Sequence, residues 1–105
     1  MYKKQLLLKL LFCPLLLLMS LSTFAQSAIT GKVTDEKGNP FPGATIVIKG
    51  TSRGTNSDAY GNYKINAGSA AVLVFSAVGY AKQEIAVGSK SVINVTMTED
   101  LQQLN

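Results

Sequence analysis

Beyond residue 25 the apolar text of this chain comes only in runs of four to eight residues. Each of the runs up to residue 90 is closed by glycine, proline or a turn-forming cluster. A helix that buries a face needs roughly 10–12 residues of 3.6-period pattern, and no such window exists here. Period two does recur. In ITGKVT (29–34), Ile29, Gly31 and Val33 share one side, with Thr30, Lys32 and Thr34 on the other. In ATIVIKG (44–50), Ala44, Ile46 and Ile48 form the apolar face. NYKI (62–65) sends Tyr63 and Ile65 inward, AKQEIAV (81–87) aligns Ala81, Ile85 and Val87, and SVINVTM (91–97) aligns Ile93, Val95 and Met97. Alternation of this kind marks strands with one buried face.

Two segments depart from simple alternation. AVLVFSAV (71–78) is apolar on both faces, the pattern of a central strand, and GTSRGT (50–55) links into a short polar strand over 55–57. The breaks have their own chemistry. In DEKGNPFPG (35–43) Asp35 can bond nearby backbone, Gly38 accepts positive φ, and Pro40 and Pro42 donate to no ladder. DAYG (58–61) is a tight turn opened by Asp58, and NAGSA (66–70) and GSK (88–90) are further turns. About seven short strands at turn spacings of 8–12 residues predict an all-β sandwich. TEDLQQLN (98–105) carries no pattern and is expected to be a linker, which puts the domain at 26–98.

The first 25 residues differ in kind. Lys3, Lys4 and Lys9 precede LLFCPLLLLMSL (10–21), and Thr23 and Ala25 stand where a signal peptidase needs small residues. This predicts an export signal cut between Ala25 and Gln26. A spanning helix needs about 20 apolar residues, and this core is shorter and contains Pro14. Cys13, the sole cysteine, lies within the apolar core rather than after it, so no lipid attachment is expected. Without this segment seven basic residues face six acids, a net charge of +1, and no disulfide can form. The basic residues are scattered, which argues against nucleic acid.

The remaining inventory leaves little room for catalysis. The chain has no histidine, so the commonest general base and the Ser-His-Asp and Cys-His arrangements are missing. Zinc lacks both its histidine and its cysteine ligands beyond residue 25. Asp35–Glu36 and Glu99–Asp100 are adjacent acids in loops with no apolar pocket to perturb them. Asn56, Ser57 and Asp58 do not make a calcium loop, and GTSRGT lacks the lysine and helix of a phosphate loop. Asn94-Val95-Thr96 matches a glycosylation triplet but falls inside a strand. Lys49 and Arg53 flank a turn as solvated charges. Tyr60, Tyr63 and Tyr80 are weighed as sugar-stacking rings and assigned to core or turn packing. No catalytic, cofactor or metal residue is expected.

Taken together, Gly31-x-Val33-x-Asp35, Gly38-x-Pro40, Pro42-Gly43-Ala44, Gly50-Thr51, Gly54-Thr55, Asp58-x-x-Gly61, Tyr63 and Val78-Gly79-Tyr80 resemble the carboxypeptidase regulatory-like domain. The match covers about residues 28–98. More narrowly the chain is similar to the N-terminal extension of SusC/RagA-type TonB-dependent receptors of Bacteroidota. The resemblance implies a transthyretin- or immunoglobulin-like sandwich without peptidase activity, in the cell envelope on the periplasmic side of the outer membrane. It implies a parent receptor with plug and barrel, and through that parent TonB and a SusD-like lipoprotein as partners. On this expectation LQQLN approaches a TonB box and the chain is the N-terminal piece of a longer protein. The alternative is a free-standing secreted sandwich used for adhesion, as a spacer or for carbohydrate binding.

Overall fold

The computed structural model describes residues 26–101, and the predicted export signal, with Cys13 and Ala25, lies outside them. Seven strands form: β1 (Ser27–Thr34), β2 (Thr45–Ile48), β3 (Gly54–Asn56), β4 (Asn62–Ala67), β5 (Val72–Ser76), β6 (Gln83–Ala86) and β7 (Val95–Thr96). They make two sheets, one ordered β4-β1-β7 and the other β3-β2-β5-β6. No described residue is in an α-helix. The all-β sandwich read from the sequence is the fold observed.

Strand parity places the core. Ile29 and Val33 of β1, Ile46 of β2, and Leu73 and Phe75 of β5 are fully buried, as are Ala44 and Met97. Tyr63, Ile65, Ala67, Val87, Ile93 and Val95 close the space between the sheets. The Tyr63 and Phe75 rings meet edge to face at 5.5 Å across that space, the geometry that aromatic quadrupoles favour. Burying a single large side chain of this kind contributes about 1.5–3 kcal/mol, so these residues are what holds a chain without disulfides together.

Strand limits differ from the sequence reading in instructive places. The expected turn at 66–70 starts two residues later, because Asn66 and Ala67 still pair with β1, through Ala28 and Ser27. Ala67 keeps the inward parity of Tyr63 and Ile65 and is buried. The short polar strand begins at Gly54 rather than Thr55. At the other end of β5 the apolar text overruns the strand. Val78 is entirely exposed in a turn closed by the Tyr80 N–H donating to the Ala77 carbonyl. Gly79, at φ 84°, makes that turn, and hydrophobicity alone could not mark where β5 stops.

β5 is nonetheless central, between β2 and β6, and its outward face is half-buried. Lys49 reaches across it to Glu84 at 3.1 Å. The aliphatic stem of a lysine in that position covers apolar surface while its ammonium stays in water. Both members of this pair are about half exposed, so the charge contact itself contributes little.

Candidate functional site

The segment leading into β7 and out of the domain is held by an unusual number of different devices. β7 runs parallel to β1, with Val33 opposite Val95 and Thr34 opposite Thr96. The pairing starts earlier, since the Thr30 N–H donates to the Ser91 carbonyl (3.1 Å) and the Ile93 N–H to the Thr30 carbonyl (2.9 Å). Beyond these bonds, at Lys32, the ladder is continued by a side chain: Asn94 Oδ1 accepts from the Lys32 N–H at 2.9 Å. Further on the Met97 N–H donates to the Thr34 carbonyl at 2.7 Å.

Gly31 and Tyr63 fix the same segment from inside. The Tyr63 hydroxyl donates to the Ile93 carbonyl at 2.6 Å in a buried position. A Cβ on Gly31 would fall on that carbonyl and against the Tyr63 ring. Glycine is therefore required here by the close approach of another backbone, not by its own dihedral angle. Burial raises the Tyr63 phenol from its ordinary value of 10.0 to about 12.

From β7 the chain crosses to the other sheet. Gln83 Nε2 donates to the Thr96 carbonyl (2.7 Å), the Ala81 N–H to the Thr98 carbonyl (2.8 Å), and the Asp100 N–H to the Gly79 carbonyl (3.0 Å). Tyr80 and Glu99 form a bridge there, and the Tyr80 ring packs edge-on against Phe41 at 4.8 Å. Ordered pairing thus runs on through Asp100, past the point where sequence pattern ends. Leu101 follows, largely exposed.

Two turns flank this region and share one sequence, Asp-x-x-Gly-Asn: DEKGN (35–39) and DAYGN (58–62). In each, one aspartate oxygen accepts two backbone N–H groups at 2.9 Å, from Lys37 and Asn39 to Asp35 and from Tyr60 and Asn62 to Asp58. In each, the glycine N–H closes the turn on the aspartate carbonyl. These bonds, the one from Asn39 first, hold the Asp35 carboxyl below its ordinary value of 3.8. The Asp58 turn, like the break opened by Asp35, is expected from the sequence. Its Gly61, at φ 81°, also lies against Val33, Pro40 and Phe41 with no room for a side chain.

The remaining candidate residues are spread over the module. Among the described residues no three of His, Cys, Asp and Glu come together to hold a metal. Asp35, Glu36, Lys37, Asn39, Tyr80 and Glu99 line an open cleft of about 400 Å³, but Asp35 is already engaged by its own turn. Tyr63 is buried, Tyr80 half-buried, and Tyr60 72% exposed, so the three tyrosines make no shared stacking platform. Arg53 and Lys49 are exposed but engaged, Arg53 Nη2 with Gln26 Oε1 and the Asn66 carbonyl, both at 3.3 Å. Sequence reasoning weighs Ser57 as a calcium ligand and misses its place in the core. It is buried, its hydroxyl donating to the Phe41 carbonyl (2.7 Å) and accepting from the Ala44 N–H (2.9 Å). Sequence reasoning passes over Gln83. The turn text at 41–44 holds a signal for Ser57, because an irregular segment beside a strand needs a side-chain partner for its backbone. None of the described residues belongs to a helix long and apolar enough to cross a membrane.

Fold and site together define a small β-sandwich module whose specialised feature is the seating of its C-terminal segment. The CarboxypepD_reg-like domain family matches residues 29–105, and the chain belongs to that family. It is 40% identical over 82 residues to TonB-dependent receptor P39 of Formosa agariphila, an alignment covering 77% of this chain and 8% of the receptor. It is 36% identical over 88 residues to TonB-dependent receptor SusC of Bacteroides thetaiotaomicron, covering 83% of this chain and 9% of that protein. The chain therefore spans less than a tenth of the length of either relative. Among solved structures, a chain of a type II cohesin–X–dockerin complex from Acetivibrio cellulolyticus superposes with a TM-score of 0.57 at 18% identity. That alignment covers 70% of this chain and 58% of the other, and it speaks to the fold alone.

Proposed function

We propose that this domain is a non-catalytic accessory module of a SusC-type TonB-dependent receptor, on the periplasmic side of the outer membrane. The observation that carries the reading is the 40% identity over 77% of the chain to a TonB-dependent receptor. The arrangement of the module supports it, because the polar groups near its turns are spent on backbone bonds and not gathered around a substrate. On this reading residues 1–25 export the chain and are removed before Gln26, the module expected over 26–98 extends through the paired residues Glu99 and Asp100, and the residues beyond lead toward a TonB-binding segment. The module then works beside TonB, while the plug, the barrel and a SusD-like lipoprotein handle the nutrient.

The test starts with the gene. Sequencing an independent template past codon 105 is expected to show an open frame into a plug and many amphipathic strands. Antibody against residues 26–101 is then expected to detect a large outer-membrane protein. A stop codon at this position, with a protein of this length in the periplasm or medium, would replace the receptor reading with a free-standing secreted sandwich.

A further inference from the structure

The two outward faces of the sandwich are unlike. On the sheet ordered β4-β1-β7 the outward positions are polar and exposed, among them Thr30, Lys32, Lys64, Asn66, Asn94 and Thr96, with Val92 at the margin. On the sheet ordered β3-β2-β5-β6 the outward centre is made of valines. Val47 and Val74 stand directly opposite each other, and Val72 is next on the same face of β5. All of them are half-buried within the sheet, and no helix or third sheet among the described residues lies over them. An antiparallel sheet with one face in water ordinarily keeps that face polar, as the first sheet does and the second does not. Lys49 reaches over β5 to Glu84, but both ends of that pair are about half exposed, so a partner displaces it at little cost.

Size and position indicate what covers the valines. Four strands ~4.8 Å apart, each giving about five residues at ~3.3 Å, present a face of roughly 300 Å², against about 800 Å² per partner in a stable association of free proteins. So small a face holds a partner that is tethered to it, because linkage supplies an effective concentration in the millimolar range. The departing chain provides such a tether. The Ala81 N–H bond to the Thr98 carbonyl and the Asp100 N–H bond to the Gly79 carbonyl fasten it beside the β5–β6 turn of this same sheet. It leaves there at Leu101, largely exposed. The chain spans less than a tenth of the receptors it matches, and on the receptor reading, on which this inference rests, a large remainder follows from that point.

We propose that the valine face of the β3-β2-β5-β6 sheet is an interdomain contact, covered by an apolar surface on the part of the same receptor that follows this chain. The polar face of the other sheet stays in water.

The experiment compares thiol labelling in two lengths of the protein. Val74→Cys marks the centre of the valine face and Thr30→Cys the polar face. Each is placed in the 105-residue chain carrying Cys13→Ser, and in the long receptor read from the gene and held in isolated outer membranes. Maleimide labelling is followed at each site by mass spectrometry of the peptide that contains it. Val74→Cys is expected to label several-fold more slowly in the receptor than in the 105-residue chain, with Thr30→Cys labelled at similar rates in both. Equal rates at Val74→Cys in the two lengths would overturn the inference and leave the receptor reading standing. Slowing at both sites alike would overturn it too, since the effect would not belong to this face. A 105-residue chain that dimerises in sedimentation, and is protected at Val74→Cys only as the dimer, would assign the face to a second copy instead. A stop codon after residue 105 would end the receptor reading and this inference with it. Where Val74→Cys does not fold, Ala86→Cys, exposed on the same face opposite Val72, gives the same comparison.

Discussion

Gly31 and Tyr63 act on one carbonyl, that of Ile93, from two sides. Gly31→Ala drives a methyl group into backbone that is itself bonded to Thr30, so little can give way. A loss of about 3 kcal/mol is expected, at the upper end for overpacking, and urea denaturation measures it. Tyr63→Phe keeps the ring contact with Phe75 but leaves the Ile93 carbonyl without its buried donor, for about 1–2 kcal/mol. The pH dependence separates this hydroxyl from general packing. Its folded pKa is raised to about 12, so the neutral form contributes stability that is complete below pH 10.0 and lost as pH rises toward 12. In the Tyr63→Phe variant that part of the alkaline loss should vanish from denaturation midpoints measured across this range. The sequence displays half of the arrangement. Gly31 has inward parity between Ile29 and Val33, and Tyr63 has inward parity in β4. What it cannot display is the segment some 60 residues on whose backbone takes the vacated space, since alternation reports a face and not a neighbour.

At the scale of elements, the two Asp-x-x-Gly-Asn turns are legible because each bond in them is local. Aspartate to the second and fourth residue following, and glycine at positive φ, follow from short-range chemistry. Asp58→Ala strips acceptors from the Tyr60 and Asn62 N–H groups, and a loss of about 1 kcal/mol is expected in thermal or urea unfolding. The Asp35 turn adds an acid-side prediction. Its folded pKa lies below 3.8, so its contribution is complete above that value and is lost as pH falls through the folded pKa. Asp35→Asn should flatten that part of the acid unfolding profile while leaving the neutral-pH end of the curve in shape. Strand ends are less legible. Ala67 continues β4 although the NAGSA text suggests a turn, because pairing to Ser27 decides the matter. Val78 leaves β5 although it is apolar, because Gly79 and the bond to Ala77 turn the chain first. Asn94 stands out in the sequence for a glycosylation triplet, whereas its side chain serves as part of a ladder.

For the whole molecule, composition and alternation are enough for the class of fold but not for the order of strands. Nothing in SVINVTM marks it as parallel to a strand at the other end of the domain, and loop lengths do not select β1 as its partner. The core itself is well marked, and a matched pair of substitutions tests it. Phe75→Ala should cost about 3–5 kcal/mol, since its ring is fully buried between the sheets. Val78→Ser, a comparable loss of hydrophobicity at an entirely exposed site, should stay within about 0.5 kcal/mol. Residues 96–100 have a further role. They are bonded to β1 on one side and to Gly79, Ala81 and Gln83 on the other. Neither sheet can therefore loosen alone without disturbing the other through this short stretch. Melting should show one transition by every probe, and amide exchange at Met97 and Asp100 should report the opening of the entire sandwich rather than the fraying of an end.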